Sequence, residues 1–246
     1  MTEHDNPTIV LVHGGFVDAS NWTPVIQELQ ARGLPVVAPA NPLRSLAGDS
    51  AYIASVVNEI DGPVILVGHS YGGAVISVAA SSAANVVGLV YITAFILDEN
   101  ESFTEVLSRF PETPLKQALR PHQYPLPGNE TGLEFTLAPE LFQSTFAADV
   151  PSQITDVAAV AQRPFAAVFD ERAPAAAWKA LPSWAMVGTR DLMIHPDAQR
   201  FMAQRAGART IEEIDASHSV AVSHPAAVAN LIQVAVNAAS PAALTT

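Results

Sequence analysis

The stretch "PVILVGHSYGGAVISVAA" (Pro63–Ala80) decides how the chain is read. A β-branched apolar run gives way at "GHSYGG" (Gly68–Gly73) to small residues of helical texture. A strand that turns straight into a helix is the start of a crossover, the connection that parallel strands require. The hexapeptide itself admits three readings: a mere turn, a cradle for phosphate, or a strained elbow that presents Ser70 as a nucleophile. A phosphate cradle needs a lysine after the glycines, or the spacing G-x-G-x-x-G, and the stretch has neither. The pattern G-x-S-x-G alone arises by chance in roughly one chain of this length in ten. Turn and elbow are therefore separated only by what the rest of the chain provides.

Working outward, "TIVLVH" (Thr8–His13), "PVVAPA" (Pro35–Ala40) and "VVGLVYITA" (Val86–Ala94) read as further strands. Between the first two, Trp22, Val25, Ile26 and Leu29 recur at helical spacing, with Asn21 as the expected cap and Gly33 as the expected stop. Helices are expected from Asp49 and over Tyr71–Ala84. After Glu99 the texture changes: Glu101–Arg163 carries scattered prolines, phenylalanines and short amphipathic pieces. Alternation then resumes, with "APAAAWKAL" as helix, "SWAMVG" as strand, "DAQRFMAQRAG" as helix and "RTIEEID" as strand. "HPAAVANLIQVAVNAA" reads as a final helix and "SPAALTT" as a frayed end. This order predicts an α/β fold, a mostly parallel sheet with helices on both faces. The core is expected over 1–98 and 171–246. A small helical cap, 99–170, is expected as an insertion after the strand ending near Ala94. No charge occurs between Asp61 and Asp98, but glycines and a change of period mark this run as core and not as a membrane span.

Composition narrows the function classes. The 246 residues are 49% apolar and 15% charged, which suits a globular protein with a large core. A net charge of −12 argues against nucleic acid and anionic membrane surfaces, which call for clustered Lys and Arg. Without cysteine there are no disulfides, thiolate metal sites or cysteine nucleophiles. No spacing of His and carboxylates suggests a metal, and no cofactor is expected. "MTEHDNP" is unlike a signal peptide. The expectation is a cytoplasmic protein that meets a small molecule, with a homodimer left open.

In such sheets ligands bind beyond the carboxyl ends of the strands. A serine there needs a base to take its proton and a third group to orient the base. Asp191 falls just past "SWAMVG" and His218 just past "TIEEID", so serine, acid and histidine follow one another, each after a strand. Asp98 also follows a strand and is the alternative acid. Asp215 reads as a strand end. His195 and His224 read as capping or surface residues, His122 as a loop residue of the insertion and His4 as part of the tail. His69 reads as structural, since adjacent residues in a turn point apart. An oxyanion would be held by the N–H of Tyr71 at the helix start and by that of Gly15 in "HGGF" (His13–Phe16), with Phe16 as the alternate donor.

Together "VLVHGG" with "NW" following, "ILVGHSYGG", "VGTRD" and "ASHSV" resemble the α/β-hydrolase superfamily, and the similar strand–helix order runs nearly end to end. Within it, "VHGGF…W" and "GHSYGG" look like small cap-bearing esterases related to plant methyl esterases and hydroxynitrile lyases. The resemblance implies a cofactor-independent hydrolase with Ser70, Asp191 and His218 as its triad. The lyases use a Lys and a Thr near the site. Here Gly15 and Phe16 follow "HG", and Lys179 sits in a predicted helix, so cyanohydrin chemistry is not expected. Phe103, Phe110, Phe135, Phe142 and Phe146 in the insertion suggest an apolar acyl or alkoxy group. The expected activity is that of a carboxylesterase, cleaving an ester of a small, largely apolar substrate through an acyl-enzyme. Lactone, amide, carbon–carbon bond or perhydrolase chemistry would suit the same triad. From a different class, the alternative is a ligand-binding homologue without catalysis.

Overall fold

The continuous apolar runs have no polar side, so they are stable only where both faces are covered. In the computed structural model, which describes residues 6–239, they form one parallel sheet. Its strands are β1 (Thr8–Val12), β2 (Val36–Val37), β3 (Val64–His69), β4 (Val86–Ile92), β8 (Ser183–Gly188) and β9 (Ile211–Ile214), in the order β2-β1-β3-β4-β8-β9. Alternate residues of the inner strands feed two cores. Ile9, Leu11, Ile65 and Val67 face helices α1 (Thr23–Ala31) and α10 (Pro225–Ala239). Val10, Val12, Val64 and Leu66 face α2 (Leu46–Asn58), α3 (Tyr71–Ala79) and α8 (Pro196–Arg205). The uncharged run from Asp61 to Asp98 is accounted for by β3, α3 and β4. No helix among the described residues is long and apolar enough to cross a membrane.

The insertion leaves the core after β4 and returns before β8. At its base Asn100 N–H donates to Ala173 O (2.8 Å), Ala173 N–H donates to Glu101 O (3.0 Å), and Ser102 bridges Arg172. Above this neck lie α4 (Phe103–Leu107), α5 (Leu115–Ala118), α6 (Pro139–Phe146) and α7 (Ser152–Val160). The expected small helical cap carries strands as well as helices: β5 (Leu119–Pro125), β6 (Thr131–Leu137) and β7 (Phe165–Ala166) form a second, antiparallel sheet. Pro121 and Pro125 masked β5, yet an edge strand tolerates proline because one side of its backbone has no strand partner.

Smaller corrections share one cause, tertiary context over local pattern. "APAAAWKAL" forms only a 3₁₀ turn, Ala177–Lys179, between two prolines. There Trp178 Nε1–H donates to Leu97 O at 2.8 Å and fixes the turn by its own burial. Asn21 lies inside the 3₁₀ turn Ala19–Trp22, whose cap is Asp18, its Oδ1 accepting from Ser20 N–H at 2.8 Å. "PVVAPA" pairs only through Val36 and Val37. The expected helix over Tyr71–Ala84 ends at Ala79 and continues as a 3₁₀ turn through Ser82. Gly33, at φ +72°, does end α1. A short helix, α9 (Val220–Ser223), precedes α10. His4 and "SPAALTT" lie outside the described residues.

Candidate active site

Four loops converge at the carboxyl edge of the sheet, after β1, β3, β8 and β9. The sheet order reverses between β1 and β3, which opens the crevice where ligands bind in such folds. Ser70 stands at that reversal with φ 55° and ψ −124°, a left-handed conformation that costs of order 1–3 kcal/mol in a non-glycine residue. The surroundings hold it there. Ser70 N–H donates to Ile92 O, and Ser70 O accepts from Gly73 N–H and Phe95 N–H at 3.0 and 3.1 Å. A Cβ on Gly68 would lie 2.6 Å from the Gly72 backbone, and one on Gly72 would lie 2.3 Å from Val12 O. Both glycines therefore let helix, elbow and strand approach closely.

His218 is wholly buried, and its Nδ1 is 2.7 Å from Asp191 Oδ2. A carboxylate beside Nδ1 keeps the proton there and leaves Nε2 as the basic nitrogen. That Nε2 is buried and has no hydrogen-bond partner among the described residues. Asp191 is itself held firmly. Its Oδ1 accepts from the N–H groups of Met193 (2.7 Å) and Ile194 (3.0 Å), and its Oδ2 also accepts from Gln199 Nε2 at 2.7 Å. The alternative acid, Asp98, is instead paired with Lys179, 2.5 Å away.

His69 occupies the structural place expected of it. Its Nε2–H donates to His218 O at 2.9 Å, and Thr93 Oγ1 donates to the same carbonyl at 3.2 Å. Burial holds the His69 pKa well below its ordinary value, with repulsion from His218 in second place. His13, also buried, has its pKa pushed down to about 4, and its Nε2 accepts from Asn41 N–H at 2.9 Å. The remaining histidines lie elsewhere: His195 caps α8, His122 meets Thr136 on the cap sheet, and His224 contacts Ser223 before α10.

The Ser70 pocket holds about 30 Å³. Gly15, Phe16, Tyr71 and Phe103 line it, and no charged side chain does. Phe16 is bridged to Arg163 of the cap through its carbonyl, which accepts Arg163 N–H. Gly15 has no such tie, and a Cβ on it would press 3.0 Å from the Phe165 ring. Tyr71 does more than shape the pocket: its hydroxyl donates to Asp49 Oδ2 at 2.7 Å, and burial pushes its pKa up strongly. Phe142 and Phe146 are buried beside this site, the Phe146 ring standing edge-on 4.9 Å from His218.

Sequence reasoning missed Gln199, Asp49 and Phe165. Gln199 left one readable signal, a polar residue on the buried stripe of α8 that runs through Ala198, Met202 and Ala203. Asp49 was read only as a helix start. Phe165 sits in a two-residue strand with no pattern of its own.

A strained serine after the third strand, and an aspartate–histidine pair after the last two, define an α/β-hydrolase architecture. The profile of the alpha/beta hydrolase family matches residues 9–231, and the chain belongs to that family. The pyrethroid hydrolase of Sphingobium wenxiniae (strain DSM 21828 / CGMCC 1.7748 / JZ-1) is 33% identical over 101 residues, a match that spans 36% of each chain. Among solved structures, polyneuridine aldehyde esterase superposes with a TM-score of 0.81 at 20% identity, over 94% of this chain and 99% of that one. A pyrethroid hydrolase from Sphingobium faniae JZ-2 gives 0.76 at 23%, over 96% and 98%. A methylesterase from Arabidopsis gives 0.76 at 16%, over 94% and 99%. These likenesses bear on the fold.

Proposed function

We propose that the protein is a serine carboxylesterase acting on a largely apolar ester through an acyl-enzyme. The observation that carries this reading is the buried His218–Asp191 pair with its bare Nε2, at the same sheet edge as the strained Ser70. Ser70 Oγ attacks the ester carbonyl while His218 Nε2 takes its proton. His218 then returns that proton to the leaving alcohol, and water, activated the same way, releases the acid. Asp191 keeps the imidazole oriented and stabilises it when charged. The N–H groups of Gly15 and Tyr71 hold the oxyanion, with Phe16 as the alternate donor to Gly15. The cap closes an uncharged pocket over the serine, which suits an ester without a carboxylate to anchor. The names of the structural relatives, an esterase and a methylesterase, support ester chemistry over the other reactions of the triad.

The test is labelling with a fluorophosphonate probe alongside burst release from p-nitrophenyl acetate. Both are expected for the wild-type chain, and both are expected to vanish in Ser70→Ala with thermal unfolding unchanged. Labelling on another residue, or turnover by Ser70→Ala, would sink the assignment.

A further inference from the structure

The Ser70 pocket is too small for more than a short group, since about 30 Å³ gives room for about two water molecules. Leu115 and Phe169 line it, and the same two residues line an open cleft of about 520 Å³ on the cap. Leu107, Phe110 and Leu119 give that cleft an apolar lining. Its charged residues, Glu112 and Lys116, are highly exposed and lie 4.0 Å from each other. Neither is placed as a buried anchor for an ion.

The arrangement also indicates which half of an ester would enter. In the proposed mechanism the leaving oxygen must reach His218 Nε2, and His218 does not line this pocket. The proposed oxyanion residues, Gly15 and Tyr71, do line it. Resting on the serine-esterase reading above, we propose that the acyl chain of the substrate runs from Ser70 between Leu115 and Phe169 into the cap cleft. The protein is then an esterase for medium or long unbranched acyl groups, and Leu115 and Phe169 form the throat that sets their width. Phe169 is braced for this by edge contacts with Phe135 and Phe165, each at 5.8 Å between ring centres.

A series of p-nitrophenyl esters, acetate to decanoate, tests this, because the alcohol stays constant. In the wild type kcat/KM is expected to rise with chain length, by up to roughly fourfold per methylene buried in the cleft. Leu115→Trp, which narrows the throat, is expected to lower the octanoate-to-acetate ratio of kcat/KM at least tenfold. Leu107→Asp, which charges the cleft away from Ser70, is expected to lower the same ratio about tenfold. The ratio is read within each variant, and a thermal melt confirms that each is folded. A ratio within twofold of wild type in both would overturn the acyl channel while leaving the esterase reading intact. So would a loss seen only when the alcohol of an acetate ester is lengthened. Absence of wild-type labelling and turnover would overturn both.

Discussion

Gln199 shows how much a single buried amide can carry. Its Nε2 donates both to Asp191 Oδ2 (2.7 Å) and to Ile194 O (2.8 Å), while its Oε1 accepts from Gly188 N–H. The amide thus ties the loop that bears Asp191 to the strand before it. Gln199→Leu keeps the volume and removes the donor to a carboxylate, a bond worth about 1.5–3 kcal/mol. The expected result is a roughly ten- to hundredfold lower kcat with KM little changed, measured on p-nitrophenyl acetate. An unchanged kcat would remove Gln199 from the positioning of Asp191. The sequence displayed the strand-end members of this candidate site and hid their supports. Ser70, Asp191 and His218 each follow a strand in a recognisable short pattern. Gln199 and Asp49 act from the buried sides of helices, where one polar residue carries no periodic signal.

The close crossing of α3 over β1 and β3 depends on what is missing at Gly72. Replacing glycine with alanine inside a helix ordinarily stabilises by about 1 kcal/mol. Here the added Cβ would meet Val12 O at 2.3 Å and His13 O at 2.9 Å, both backbone atoms that cannot swing aside. Gly72→Ala is therefore expected to destabilise by about 3 kcal/mol, the upper range for overpacking. The urea midpoint checks this, and a higher midpoint would refute the close-approach argument. Elements such as β3 and β4 were legible because continuous apolar runs have one good home, the middle of a parallel sheet. The cap hairpin was harder to see. β5 carries two prolines and exposed polar residues, and Leu133 of β6 is itself 44% exposed. The readable clue was "PGN", where Gly128 and Asn129 adopt φ of 79° and 62° to turn the chain between β5 and β6.

At the scale of the molecule, His13 and His69 lie buried and neutral beneath the site. Below pH 6.5 the unfolded chain protonates both, whereas the fold resists until about pH 4 at His13 and well below the ordinary value at His69. The unfolded state then binds more protons, so stability falls as pH drops, by up to ~1.4 kcal/mol per pH unit for each histidine. Asp49 and Glu171, raised by burial, contribute with the opposite sign in the lower part of this window. Urea unfolding is expected to show a net loss of about 2 kcal/mol or more at pH 5 relative to pH 7. Equal stability at the two pH values would contradict the buried neutral state of these rings. The core architecture was legible from alternation over the whole chain, while the cap's shape depended on contacts that no local window contains. The neck of the cap has one further consequence. Its outgoing and incoming strands are hydrogen-bonded neighbours at Asn100–Ser102 and Arg172–Ala173, so the insertion is a loop closed at its own base. A lineage can lengthen, shorten or exchange such a loop at two adjacent splice points without touching the register of β4 against β8. The sheet edge that carries Ser70 and the insertion above it are thereby free to diverge at different rates.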